Sequence, residues 1–309
     1  MSDPRRVLLI SLSNIGDAIL TTPVLEALAR HWPSAAITVL VGPRAVPLFE
    51  RDPRVAQVWP YDKAAPLVEH ARLIWRIQRA RFDRVVNLRH GLLPRTAGHR
   101  VTQHLEVARR LGVPVEGMSP RVFVGPEDER TVDQWLSPVC ASTGSARTAL
   151  MALAPGARSH LKRWTVPGFA AVADAVMREY GAQVILVGDT EDRPIAEQVA
   201  AAMRRAPVNL TGRTTLRQLA ALLARMSLVL TNDSACLHLA SAVQAPVVAV
   251  FGPTDPVKYG PVGPRDAVAR LSLVCSPCER ALCPYGHECL QWLPAREVLA
   301  AVRRVLNPS

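Results

Sequence analysis

A chain of 309 residues with 49% apolar content exceeds the usual single-domain size and can fill two cores of about 150 residues each. It has no run of eighteen apolar residues, so no transmembrane helix is expected; the apolar stretch RVLLISL near the start runs straight into Asn14 and Asp17, too short for a signal peptide, and a cytoplasmic protein is expected. The net charge of +11, almost all of it arginine because only Lys63, Lys162 and Lys258 are lysines, suits a phosphorylated glycolipid, a membrane surface or a nucleic acid, but the arginines are scattered, no nucleic-acid motif is present, and compositional drift explains the charge as simply.

In chain order, residues 6–12 read as a strand, 13–17 (SNIGD) as a polar turn and 18–31 as an amphipathic helix with Pro23 near its first turn. Strands over 35–42 and 55–60 flank a short helix at 45–52. The segment 66–81 is helical with Leu67, Ile74 and Ile77 on one face, and 83–88 is again a strand; these are the βα repeats of a doubly wound sheet. LLPRTAGHR then leads directly into a helix over 99–111, and His90, Arg95, His99 and Arg100 make this loop basic. Residues 112–146 carry the breaks of a linker with one short helix at 127–136, so the domain boundary is placed at 145, giving domains 1–145 and 146–309. The second half opens with a strand over 148–155 and the loop GARSHLKRW, followed by a helix at 167–180 that Gly181 closes. QVILVGDTED is a strand ending in a polar turn, and Thr214-Thr215 caps a helix over 216–226.

Residues 228–264 are the most informative stretch. A buried strand ends in Asn232-Asp233-Ser234, a cluster of helix-capping residues, followed by ACLHLASAV at helical spacing. A second buried strand over 247–251 closes with the turn residues GPTDP. A polar turn at the carboxyl end of a parallel strand is where open α/β sheets bind ligands, and the start of the following helix offers N–H groups to a diphosphate. Asp17 occupies the corresponding edge of the first half; on its own it reads as a helix cap.

T-N-D-S-A-x-x-H, an apolar strand and F-G-P-T-D-P together resemble the donor-binding signature of the lipopolysaccharide heptosyltransferases, glycosyltransferase family nine. I-G-D-x-(I/L)-x-x-x-P around Asp17 and P-G…K-x-W around Lys162 are similar to further signatures of that family. The resemblance implies a GT-B-type α/β fold, two Rossmann-like doubly wound domains facing across a cleft, and inverting, metal-independent transfer of heptose from ADP-heptose to an anionic glycolipid acceptor. It implies Asp17 as catalytic base, and Lys162, Asp233, Ser234, Ala235 and His238 around the donor phosphates. Glu191, or less directly Asp192, would hold the nucleoside. Ala235 stands where relatives often carry glycine, and a methyl group there would crowd a phosphate. Relatives also carry a longer segment after the strand that ends near residue 89; its shortening here bears on the acceptor, whose phosphates His90, Arg95, His99 and Arg100 are candidates to meet, unless they form only a solvated loop. Two other readings stay open: a transferase using another nucleotide sugar, and a non-catalytic nucleotide-binding protein.

Cys275, Cys278, Cys283 and Cys289 fall within fifteen residues. The spacing allows a structural zinc or iron site, with no cofactor needed for catalysis, or reduced buried thiols. Residues 294–306 close the chain as an amphipathic helix, and peripheral contact with the inner membrane is compatible with the charge.

Overall fold

Short apolar strands, polar turns and amphipathic helices alternate to build two parallel sheets. The computed structural model describes residues 3–11, 14–89, 98–141 and 149–307. The boundary expected at 145, and His90 and Arg95, lie outside them. The chain divides into two units, residues 1–123 and 124–309.

The first unit contains β1 (Arg6–Ile10), α1 (Ile15–Leu20), α2 (Thr22–His31), β2 (Ala36–Val41), β3 (Gln57–Pro60), α3 (Leu67–Ala80), β4 (Arg84–Asn87) and α4 (Arg100–Arg110). Its sheet has the order β3-β2-β1-β4, parallel throughout, with Leu8 in register with Thr38 and Val85. The single helix expected over 18–31 is two. Pro23 has no N–H to continue the ladder, and Thr21 turns its hydroxyl to Ala18 O at 2.7 Å and to Ser11 Oγ at 2.9 Å. The fully buried His104 of α4 holds the end of α1, its Nδ1 lying 3.1 Å from Leu20 O. On α3 the expected apolar face needs correction. Leu73 and Ile77 pack with Leu8, Leu40 and Trp59, whereas Leu67 and Ile74, about 80° and 60° round the helix from Ile77, are exposed.

The second unit contains α5 (Pro126–Ala141), β5 (Leu150–Ala154), α6 (Val166–Tyr180), β6 (Gln183–Leu186), α7 (Arg193–Ala202), β7 (Val208–Asn209) and α8 (Leu216–Leu223). It continues with β8 (Leu228–Asn232), α9 (Ala235–Ala242), β9 (Val247–Phe251), α10 (Pro256–Tyr259), β10 (Ala267–Arg270), α11 (Glu288–Gln291) and α12 (Ala295–Leu306). Its sheet order is β10-β9-β8-β5-β6-β7, again parallel. β5, β8 and β9 are buried at every residue, as strands covered on both faces must be. The capping expectations hold: Thr215 and Gln218 form a capping box at α8, and Gly181 closes α6 in the left-handed conformation at φ 62°.

The supposed linker is the largest departure. α5 runs the full 126–141 and belongs to the second unit, because Val132 is buried and Asp128 and Asp133 pair with Arg217 at 3.2 Å and Arg225 at 3.0 Å around α8. Pro138 lies beyond the expected helix end at 136, yet stands inside the helix. The division between units therefore falls near 123 rather than 145. Among the described residues no helix is long and apolar enough to cross a membrane.

Candidate functional site

The carboxyl edge of β8 gathers most of the expected donor residues. Asn232, the last residue of the strand, is fully buried. Its Nδ2 donates to Pro155 O at 2.8 Å and its Oδ1 accepts from Trp164 N at 2.9 Å. One amide thus pins both ends of the loop between β5 and α6 onto β8. Trp164 is buried beneath that loop, its indole N–H reaching Leu293 O at 3.1 Å. In K-x-W, then, the tryptophan is the anchor that aims the lysine. Lys162 Nζ donates to Asp233 Oδ2 at 2.6 Å, and Thr254 Oγ1, from the loop after β9, donates to the same oxygen at 2.6 Å.

Asp233 is 5% exposed, and its charge is acceptable at that depth because both donors are aimed at it. A carboxylate so engaged repels phosphate; it acts by holding Lys162 and Thr254. The Lys162 side chain remains one-third exposed, and its ammonium has two further protons for another acceptor. Ser234 caps α9, its Oγ accepting from Cys236 N at 3.3 Å. The N–H groups of Ser234 and Ala235 come at the helix start, where no preceding turn supplies carbonyls. The edge thus combines an ammonium, a hydroxyl and helix-start N–H groups, an anion-binding combination. His238, one turn further along α9, is only 7% exposed. Burial pushes the Cys236 thiol beneath it up to about 12, so that thiol is protonated and inert at neutral pH.

The turn after β6 divides the work among its three carboxylates. Asp189 and Asp192 form a reciprocal capping box, Asp192 Oδ2 accepting from Asp189 N at 3.2 Å. Asp192 also fills the space beside two glycines: a Cβ on Gly156 would come within 2.1 Å of its carboxyl. Burial, and then the neighbouring Asp189 charge, hold Asp192 above the usual carboxylate range. Asp189 and Glu191 are both exposed, but Asp189 Oδ1 accepts from the N–H groups of Glu191 and Asp192, whereas Glu191 has no part in the cap. Sequence reasoning treated Asn232 only as a capping residue and left Thr254 within a turn; T-N-D and G-P-T-D carry the signal, in the alternation that sends one side chain to the core and the next to the edge.

The cysteine segment braces the same edge. Ser276 Oγ donates to Gly252 O at 2.6 Å, while the N–H groups of Cys278 and Glu279 both donate to Pro253 O, at 3.0 and 2.8 Å. The four thiols and His287 line a cavity of about 260 Å³, and the ring of His287 lies 5.6 Å from that of His160. Burial first, then the neighbouring thiols, push Cys289 upward. Yet Cys275 is exposed, the other three are half-buried, and among the described residues no set of three or more His, Cys, Asp or Glu side chains is arranged to hold a metal ion. The thiols share a cavity without forming a coordination shell among the described residues, an arrangement closer to the reduced thiols than to the zinc or iron site that their spacing allows.

In the first unit the helix starts three residues before the expected position 18, which takes Asp17 out of the preceding turn. α1 begins at Ile15, so Asp17 lies in its first turn, half-exposed, where the helix start favours its charge. Asn14 Nδ2 donates to its Oδ2 at 3.2 Å. Of the four basic loop residues, the two described have structural partners. His99 caps α4, its Nδ1 accepting from Val101 N at 3.2 Å, and Arg100 donates to Gln103 Oε1 at 2.8 Å.

The profile of glycosyltransferase family 9 (heptosyltransferase) matches residues 85–288. Lipopolysaccharide heptosyltransferase 2 of Salmonella typhimurium is 26% identical over 86% of this chain and 88% of its own. A glycosyl transferase family 9 structure from Veillonella parvula superposes with a TM-score of 0.82 at 24% identity, over 99% of this chain and 98% of that one. The structure of E. coli ADP-heptose lps heptosyltransferase II does so with a TM-score of 0.77 at 22% identity, over 97% and 98%. The fold is GT-B, and the chain belongs to glycosyltransferase family 9, the heptosyltransferase family.

Proposed function

We propose that this glycosyltransferase moves heptose from ADP-heptose to a sugar of the lipopolysaccharide inner core, inverting the anomeric centre. The observation that carries the reading is the junction of Lys162, Asp233 and Thr254 at the start of α9. Support comes from the ADP-heptose-dependent E. coli relative of the same fold. In this reading the acceptor hydroxyl gives its proton to the Asp17 carboxylate as its oxygen bonds to the anomeric carbon. The bond from that carbon to the ADP oxygen breaks on the opposite face, and the electron pair leaves with ADP. Lys162 and the N–H groups of Ser234 and Ala235 meet the charge that develops on the departing diphosphate, in place before the reaction and needing no reorganisation. Glu191 accepts from the ribose hydroxyls. His238, one turn along α9 from Ser234, is placed beside the same phosphates in this reading. No step is assigned to a metal.

The test pairs binding with turnover. ADP and ADP-heptose should stabilise the protein by about 2.7 kcal/mol at a hundredfold excess over Kd, and UDP-glucose should not. Mass spectrometry should then find one heptose added to a truncated core acceptor, with the anomeric configuration inverted by NMR. Equal stabilisation by UDP-glucose would replace the donor assignment. ADP binding without transfer to any truncated acceptor would leave a nucleotide-binding protein instead.

A further inference from the structure

α3 meets its own unit along one stripe and carries a second apolar stripe that is exposed. Leu73, Ile77 and Ala80 turn toward Leu8, Leu40 and Trp59. Round the helix, Leu67, Val68, Ile74 and Trp75 form a patch that is 85%, 54%, 57% and 59% exposed. Arg72, Arg76 and Arg79 follow the border between the stripes, at 100° per residue. Arg76 stacks over Trp59 at 3.8 Å and Arg79 over Trp75 at 5.0 Å from the ring centres, while Arg72 pairs with Glu69. No residue of this helix is buried.

The packing of the unit gives these outer residues no role, and a contiguous apolar patch on a protein surface marks an interaction site. Its chemistry selects among partners. Aliphatic side chains and a tryptophan on one side, with arginines along the edge, are the composition of a helix that lies in a membrane interface. The arginine stems can lie on apolar surface while their heads reach phosphate. A twofold contact that runs two copies of this helix antiparallel would set the arginine row of each beside that of the other, so like charges oppose it. The overall charge of +11 has the sign that an anionic bilayer attracts.

We propose that α3 docks this protein on an anionic phospholipid bilayer, with Leu67, Val68, Ile74 and Trp75 in the headgroup boundary and Arg72 and Arg79 against lipid phosphates. The inference rests on the first unit alone and goes beyond the reaction proposed above. The test is co-sedimentation of the full chain with phosphatidylcholine vesicles, pure or containing roughly one-third phosphatidylglycerol. Binding should require the anionic lipid and weaken as salt is raised. The double substitution Ile74→Ser with Trp75→Ser should weaken binding about tenfold or more. Arg72→Gln with Arg79→Gln should cost about fivefold per arginine. Both variants should melt within about 2 °C of the parent, since the altered side chains are exposed. Absence of binding by the parent overturns the proposal, as does equal binding by parent and Ile74→Ser/Trp75→Ser. A dimer in solution that this variant dissociates, without vesicle binding, would assign the face to a second copy and also overturn it.

Discussion

The contact of Lys162 with Asp233 can be tested by a double-mutant cycle. Asp233 Oδ2 receives two donors at 2.6 Å in a site that is 5% exposed. Removing one partner of a fully buried ion pair costs about 3–5 kcal/mol, chiefly because a charge is left buried without its partner. Lys162 is one-third exposed, and Thr254 remains after its removal, so Lys162→Met should cost about 2–3 kcal/mol. Asp233→Asn should cost about 1–2 kcal/mol, since the amide oxygen still accepts from Thr254 while the freed ammonium reaches water. If the two residues act as one unit, the double variant should cost little more than Lys162→Met, a coupling of about 1–2 kcal/mol. For a unit of this size 1 kcal/mol is about 2–4 °C in Tm, so Lys162→Met should melt about 5–10 °C lower. Thermal and urea unfolding of all four proteins, with and without ADP, give the result. Additivity within about 0.5 kcal/mol would refute the coupling. An ADP-induced stabilisation undiminished in Lys162→Met would refute the assignment of the ammonium to the diphosphate.

Three further outcomes are expected. Asp17→Asn should lower turnover by about a hundredfold or more and leave ADP stabilisation intact, as measured by initial rates and thermal shift; near-normal rates would reduce Asp17 to a helix cap. Asp192 is held above the usual carboxylate range, so within the window above its unfolded value the folded chain binds more proton, and stability is lost as pH rises through that window. Asp192→Asn should therefore melt higher than the parent at neutral pH, with the gain vanishing once the pH falls below the ordinary carboxylate range; a pH-independent difference would contradict the burial argument. For the cysteine segment, elemental analysis should find well under about one zinc or iron per chain, with chelators leaving Tm unchanged; a stoichiometric metal whose removal lowers Tm would show that the four thiols close round an ion.

The residues that reveal the fold in sequence are those whose environment is local. β5, β8 and β9 read as continuous apolar runs because both faces of a parallel sheet are covered. Ser234 and Thr215 announce their helices because capping is decided within one turn. The expected gathering of Lys162, Asp233 and Ser234 was legible from motif resemblance, but their pairing was not. Nothing in the spacing of Lys162 and Asp233 says that an ammonium and a carboxylate 71 positions apart share one contact. α5 is expected only as a short helix in a linker because the compositional breaks on either side are local, whereas Arg217 and Arg225, which fasten the helix, are distant in sequence. α3 shows a related failure. A period of 3.6 reports an apolar face without saying which neighbour covers it, and this helix has two apolar stripes.

Pro253 O receives N–H groups from both Cys278 and Glu279, and Gly252 O receives the Ser276 hydroxyl. The loop bearing Thr254 thus takes its shape from a segment more than twenty positions downstream. With the donor held as proposed, nucleotide affinity becomes a gauge of the condition of that segment. A lesion there, by alkylation or by a changed residue, should then speed the departure of ADP before any loss of overall stability is measurable. A mutational library restricted to the donor's immediate neighbours would leave those determinants unsampled.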